Sequence, residues 1–216
     1  MVDLIHGLDA GRVGANLERV RAEIAAAGRD PAEVEILAAV KYVPVEELPA
    51  LAEGGIEFVG ENRAQDLLAK ADAHPGRFTW DFIGRLQSRK VRTIAPYVRY
   101  IHSVDSDSVL AQLAKYAPPS LEVMIEVNVA EEPNKGGVLP AELGSFLGRV
   151  PAPVVGLMTM PPLSDDPEAS RPYFASLRAL AQRHGLRHLS MGTSQDYAVA
   201  AQEGATIVRI GTSLYR

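Results

Sequence analysis

The sequence predicts a single (β/α)8 barrel spanning residues 1–216, with an extra helix at its N-terminus. Short apolar runs rich in β-branched residues alternate with helical segments eight times. Strict alternation calls for parallel strands, because each crossover must return the chain to the edge where the last strand began. Eight such units in one domain of this length point to closure, which also removes exposed sheet edges. An open doubly wound sheet is the alternative, and it would need edge strands that the sequence does not mark.

The elements follow in order. Residues 8–28 carry Leu17, Val20 and Ile24 at helical spacing, with Gly28 as a stop. The first strand is expected over 34–41 and the next helix near 45–54, opened by Pro44. A short second strand at 57–60 precedes a helix at 63–73. The third strand, 79–84, is followed by a helix at 88–95, and the fourth, 100–104, by a helix at 106–117 that Pro118-Pro119 breaks. Strand five is expected over 122–129 with a helix near 140–149, and strand six over 154–158 with a helix at 168–184. Strand seven, 188–191, leads to a helix near 195–203, and strand eight occupies 206–210. No eighth helix is expected after it, so the N-terminal helix is assigned to that gap.

Composition narrows the function. The 216-residue chain has a formal net charge of -5 and gives no general attraction to nucleic acid or anionic membrane. There is no cysteine, hence no disulfide, thiolate metal site or cysteine nucleophile. No apolar run approaches membrane-span length and no secretory signal pattern opens the chain, so a cytoplasmic protein is expected. His184 and His188 have i, i+4 spacing but straddle Gly185, which argues against a zinc pair. The glycine-rich patch from Gly7 to Gly14 follows no strand and is not read as a phosphate loop.

In a barrel the active face is built by the loops after each strand. There the apolar run Ile36-Leu37-Ala38-Ala39-Val40 ends on Lys41. An apolar neighbourhood would strip hydration from that ammonium and free the neutral amine, which can attack an aldehyde and form a Schiff base. The competing reading is a lysine that snorkels to solvent. Other strand ends supply Asn62, Ser103, Met158, Ser194, Arg209, Gly211 and Thr212. Ser194 suits the N-cap of a helix beginning near Gln195, and Gly211-Thr212 offers a backbone amide and a hydroxyl. Phosphate held between the seventh and eighth loops is a recurrent arrangement.

Ala38-Ala39-Val40-Lys41, Gly60-Glu61-Asn62-Arg63, Phe82-Ile83-Gly84-Arg85-Leu86-Gln87, Ser103-Val104-Asp105, Gly156-Leu157-Met158, Leu189-Ser190-Met191-Gly192 and Val208-Arg209-Ile210-Gly211 stand in this order along nearly the whole chain. Together they resemble the pyridoxal 5'-phosphate (PLP) homeostasis protein family, itself similar to the barrel of fold-type-III alanine racemase. The resemblance implies that Lys41 carries PLP, that Ser194, Gly211 and Thr212 hold its phosphate, that Arg209 faces the pyridine nitrogen and that Asn62 lines the ring site. Met158 and Ser103 are implied as further lining. The sequence departs from the usual family pattern at Arg89, Thr193 and Val155 and in its Leu214-Tyr215-Arg216 close.

Three functions compete. The first, favoured here, is a PLP carrier and homeostasis protein without amino-acid turnover, monomeric, with PLP-dependent acceptor enzymes as partners. The second is an amino-acid racemase or decarboxylase, for which Tyr42 and Tyr197 are the in-chain acid–base candidates, each read first as a packing residue. The third is a cofactor-free Schiff-base aldolase. A guanidinium at Arg209 stays charged and disfavours protonation of a neighbouring pyridine, which makes the ring a poorer electron sink. Lys90 and Lys135 are weaker candidates for cofactor hand-over, and Glu131-Glu132 beside Lys135 favours a solvated surface lysine there.

Overall fold

The computed structural model describes residues 4–215 and contains a closed barrel of parallel strands paired in chain order. These are β1 Glu35–Ala39, β2 Phe58–Glu61, β3 Thr79–Phe82, β4 Tyr100–Val104, β5 Glu122–Glu126, β6 Val154–Met158, β7 His188–Thr193 and β8 Ile207–Ile210. β8 closes on β1 in continuous register from Glu35 opposite Ile207 to Ala38 opposite Ile210. The helices outside are α1 Ala10–Ala26, α2 Leu48–Glu53, α3 Ala64–Ala73, α4 Val91–Ile94, α5 Asp107–Tyr116, α6 Leu143–Leu147, α7 Arg171–Arg183, α8 Tyr197–Gln202 and α9 Thr212–Tyr215. Single 3-10 turns lead into α2, α4, α6 and α7, which is why those helices begin later than helical periodicity suggests.

α1 starts at the N-cap Asp9, whose carboxylate accepts from the Arg12 amide at 2.7 Å. Its buried stripe of Val13, Leu17, Val20 and Ile24 packs on α2, α8 and α9, over the seam where β8 meets β1. The expectation of no helix after β8 is corrected by α9. This single turn is too short to stand on its own propensity. Leu214 and Tyr215 are buried, and α1 supplies Asn16 Nδ2 and Arg19 Nη2 to the carbonyls of Leu214 and Ser213 at 3.2 and 3.0 Å. Arg216, the last residue of the C-terminal departure, lies outside the described residues.

The main core lies between the barrel wall and the helices. Inside the barrel a smaller apolar layer is formed by Leu37, Tyr100, Met124 and Ile207. Side chains two positions apart on a strand share a face. One step toward the C-terminal ends, the same inward rows become polar: Tyr100 is followed by His102, Met124 by Glu126 and Ile207 by Arg209. The interior therefore passes from apolar to polar toward the rim that carries the loops.

Candidate functional site

A cavity of about 450 Å³ opens at that rim. Lys41, Asn62, Met158, Ser194, Arg209, Gly211 and Thr212 all line it, together with Tyr42, Glu126 and Tyr215. A larger groove of about 1120 Å³ lies at the opposite end, lined by residues such as Glu35, Phe58, Arg187 and His188. Volume alone would favour that groove, but barrel chemistry is done at the C-terminal rim, and Lys41 lines only the smaller cavity.

Lys41 sits two residues beyond the last residue of β1, in a turn, and is exposed at the mouth. The expected apolar enclosure of its amine is not what the fold provides; its Nζ stands 4.8 Å from the centre of the Tyr42 ring, a cation–π distance. What the fold provides is a fixed departure point. The Ala39 carbonyl accepts from Tyr215 Oη at 3.0 Å, and the Val40 carbonyl accepts from Lys70 Nζ at 2.7 Å. Lys70 is buried and also pairs with the fully buried Glu61 at 2.6 Å. The other Glu61 oxygen accepts from the Asn62 amide at 2.7 Å. One ion pair thus holds the main chain just before Lys41 and at Asn62.

Asn62 presents a buried Oδ1 with no hydrogen-bond partner among the described residues. A buried amide oxygen costs free energy unless something donates to it, so this atom marks where a ligand donor fits. Its backbone lies against Gly84, where a Cβ would come within 2.1 Å of the Asn62 carbonyl oxygen. Only glycine permits that approach. Ser103 is the exception among the expected lining residues. It is buried beneath the cavity wall and its hydroxyl donates to the Gly84 carbonyl at 2.5 Å, so it supports the wall and does not line the cavity.

Ser194 and Gly211 adjoin, with the Gly211 amide donating to Ser194 Oγ at 3.1 Å. Ser194 is not the helix cap expected for it. β7 runs on to Thr193, and α8 begins at Tyr197 with Asp196 in the cap position. The Asp196 carboxylate turns back to accept from the Thr193 amide at 2.7 Å and from the Ser170 hydroxyl at 2.8 Å, which tightens the turn that carries Ser194.

Arg209 is buried within the barrel. Its Nη1 donates to Ser190 Oγ at 2.6 Å, and its Nη2 donates to the Thr159 carbonyl at 2.9 Å. Behind it runs a buried chain: Ser190 Oγ meets His102 Nδ1 at 2.8 Å, and His102 Nε2 meets Asp81 Oδ2 at 3.1 Å. Arg99 then joins Asp81 to Glu35 at the far end of the barrel, with contacts of 2.8 and 2.6 Å. The Asp81 carboxylate accepts from His102 Nε2, and the Ser190 oxygen accepts from Arg209. Burial pushes the Asp81 carboxyl up, but the hydrogen bonds and charges of His102 and Arg99 outweigh it and hold it below its ordinary value. Burial brings Arg209 down to about 10, against the charges of Glu126 and Asp196, so the guanidinium stays charged at neutral pH.

Tyr197 is removed from the chemistry: its hydroxyl bonds Glu23 of α1 and it does not line the cavity. Lys90 and Lys135 do not line it either, and Lys135 pairs with Glu132. Among the described residues there is no group of three or more His, Asp or Glu side chains suited to a metal ion. Lys70 and Glu126 are not marked by the sequence, and Glu61 and Tyr215 appear there only inside longer motifs with no role of their own. In a strand or helix a buried carboxylate looks like an exposed one; only a charged residue at an inward-facing position of the period would have marked Glu126.

Residues 8–216 match the family described as alanine racemase, N-terminal domain. A curated pyridoxal phosphate homeostasis protein of Aquifex aeolicus is 42% identical over 94% of this chain and 96% of its own length. The chain belongs to the pyridoxal phosphate homeostasis protein family. A solved structure of similar shape is PipY of Synechococcus elongatus with PLP bound, at TM-score 0.80 and 28% identity, covering 94% of this chain and all of that one. Alanine racemase of Corynebacterium glutamicum shares the fold at TM-score 0.71 and 17% identity, covering 99% of this chain and 63% of that enzyme.

Proposed function

We propose that this protein binds PLP at the rim cavity and holds it on Lys41 for intracellular PLP homeostasis, without turning over amino acids. The observation that carries this reading is the convergence on one cavity of Lys41, its only lining lysine among the described residues, with buried Arg209, the Ser194–Gly211 pair and the unpartnered Asn62 oxygen. When bound, PLP supplies an aldehyde carbon for a lysine amine and a phosphate that carries most of its charge. Lys41 is the amine at the mouth. Ser194, Gly211 and Thr212 take the phosphate, because hydroxyls and backbone amides on two adjoining loops can donate together. Arg209 faces the pyridine nitrogen and keeps it unprotonated by its own charge, which denies the ring its strength as an electron sink. Asn62 and Met158 line the ring.

The names of the relatives and the PLP-bound neighbour support the cofactor; the charged Arg209 supports the absence of turnover. The protein is proposed to act as a cytoplasmic monomer that supplies PLP-dependent acceptor enzymes. No described helix is long and apolar enough to cross a membrane. The test is the absorption spectrum of the purified protein before and after borohydride, which makes a lysine–cofactor linkage permanent, followed by an amino-acid racemisation assay. Retention of the chromophore on Lys41 with no racemisation is expected. Robust racemisation abolished in Lys41→Ala would replace the carrier reading with that of a racemase.

A further inference from the structure

β5 lies diametrically across the closed barrel from β1, four strands away in either direction. Its last residue, Glu126, stands two positions beyond Met124, which packs inside the barrel, so the Glu126 side chain also points inward. It lines the same cavity as Lys41 and Arg209. Two other buried acids of the barrel strands are tied: Glu61 to Lys70, and Asp81 to His102 and Arg99. The Glu126 carboxyl accepts no hydrogen bond and enters no ion pair among the described residues. Four charged groups act on it electrostatically: Asp105 from the loop after β4, Arg85 from the loop after β3, Lys135 from the loop after β5, and Arg209 from β8.

We propose that Glu126 is a further cofactor-contacting residue, which donates a hydrogen bond from its protonated carboxyl to the bound molecule opposite Lys41 and loses that contact on ionising. This inference rests on the PLP reading of the cavity. A protonated carboxyl offers a donor, whereas an ionised one only accepts. The ligand brings a phosphoryl group carrying roughly -1.5 to -2 charges near neutral pH, so an ionised Glu126 opposes it and a protonated one assists it. Burial pushes this carboxyl up to about 7, the Asp105 charge adding to the effect and Arg209, Lys135 and Arg85 opposing it. Both forms are therefore populated near neutral pH, and the sign is fixed: retention weakens as pH rises through that range.

Equilibrium dialysis against PLP between about pH 6.5 and 8.5 tests this. The wild type is expected to lose about tenfold in affinity across the range, which is roughly 1.4 kcal/mol. Glu126→Gln keeps a donor of similar shape that cannot ionise, and flattens the profile relative to wild type. Asp105→Asn removes the like charge while still able to accept from the Gly137 amide, and moves the inflection to lower pH. An unchanged slope in Glu126→Gln, or an unmoved inflection in Asp105→Asn, overturns the inference. Failure of the wild type to bind PLP even at pH 6.5 overturns the cofactor reading and this inference with it. A 13C titration of the Glu carboxyls in ligand-free wild type needs no variant: a carboxyl midpoint near 7 supports the proposal, and no midpoint above about 5 overturns it.

Discussion

Two residues carry unusual free-energy consequences because neither can reach water. Lys70 and Glu61 form a pair in which both partners are buried. Removing one partner leaves the other charge stranded, which typically costs about 3–5 kcal/mol. Lys70→Met is therefore expected to lower the unfolding free energy by roughly that amount in urea titrations, and Lys70→Met with Glu61→Leu to recover much of the loss. The same pair holds the Val40 carbonyl, so the single variant should also loosen the mouth around Lys41. At Ser194 the consequence is binding. Ser194→Ala should weaken PLP retention by roughly 1.5–3 kcal/mol, the value of a charge-assisted hydrogen bond. Unchanged affinity in Ser194→Ala combined with Thr212→Val would count against phosphate at this place.

Among the elements, the one-turn helix α9 matters beyond its length. It is held by α1 and in turn holds β1, through the Tyr215 hydroxyl on the Ala39 carbonyl. Burial, together with the Glu61 charge, pushes the Tyr215 phenol up, so it stays a donor at all working pH values. Tyr215→Phe removes that donor and leaves a carbonyl unsatisfied at the end of β1, at a cost of about 1–3 kcal/mol in stability. Thermal unfolding would measure it, and hydrogen exchange should rise first around Val40 and Lys41. The turn after β3 is the second such element. A methyl at Gly84 meets Asn62 backbone that has no room to yield, so Gly84→Ala should cost more than the usual ~1–3 kcal/mol of overpacking and displace the Asn62 oxygen from the cavity.

For the whole molecule, the interior carboxylates give stability opposite pH dependences. Asp81 is depressed in the fold, so its contribution is present above the unfolded value and is lost as pH falls through the folded one. Glu126 is raised from 4.5 to about 7, so the folded protein binds more protons than the unfolded chain between those values. Its contribution therefore declines as pH rises from 4.5 to about 7 and stays low above that. Glu126→Gln should stabilise the ligand-free protein relative to wild type at pH 8 more than at pH 4.5, by at most roughly 3 kcal/mol. Urea unfolding of both proteins at the two pH values measures the difference. Equal effects at both values would mean that the Glu126 carboxyl titrates where an exposed one does.

The amino-acid sequence by itself determined the barrel. Alternating apolar and helical periods are local properties, and eight of them leave closure as the way to bury every strand without edges. It also placed Lys41, Asn62, Ser194, Arg209, Gly211 and Thr212 at one rim, because in a parallel barrel the residue after each strand faces that rim whatever lies between. Which way each of those residues is held was decided only in three dimensions. Ser103 turned into the wall to serve Gly84, Ser194 lost its cap role to an Asp196 that folds back on Thr193, and Lys41 emerged at an exposed mouth. The pairing of Glu61 with Lys70 and the chain from Arg209 through His102 to Asp81 join residues from separate strands and helices, and Glu126 feels charges from three loops and β8. A charged residue in a strand reads as solvent-facing in the sequence. Only closure of the barrel, which puts one face of every strand inside, makes it an interior group that must find a partner or shift its proton equilibrium.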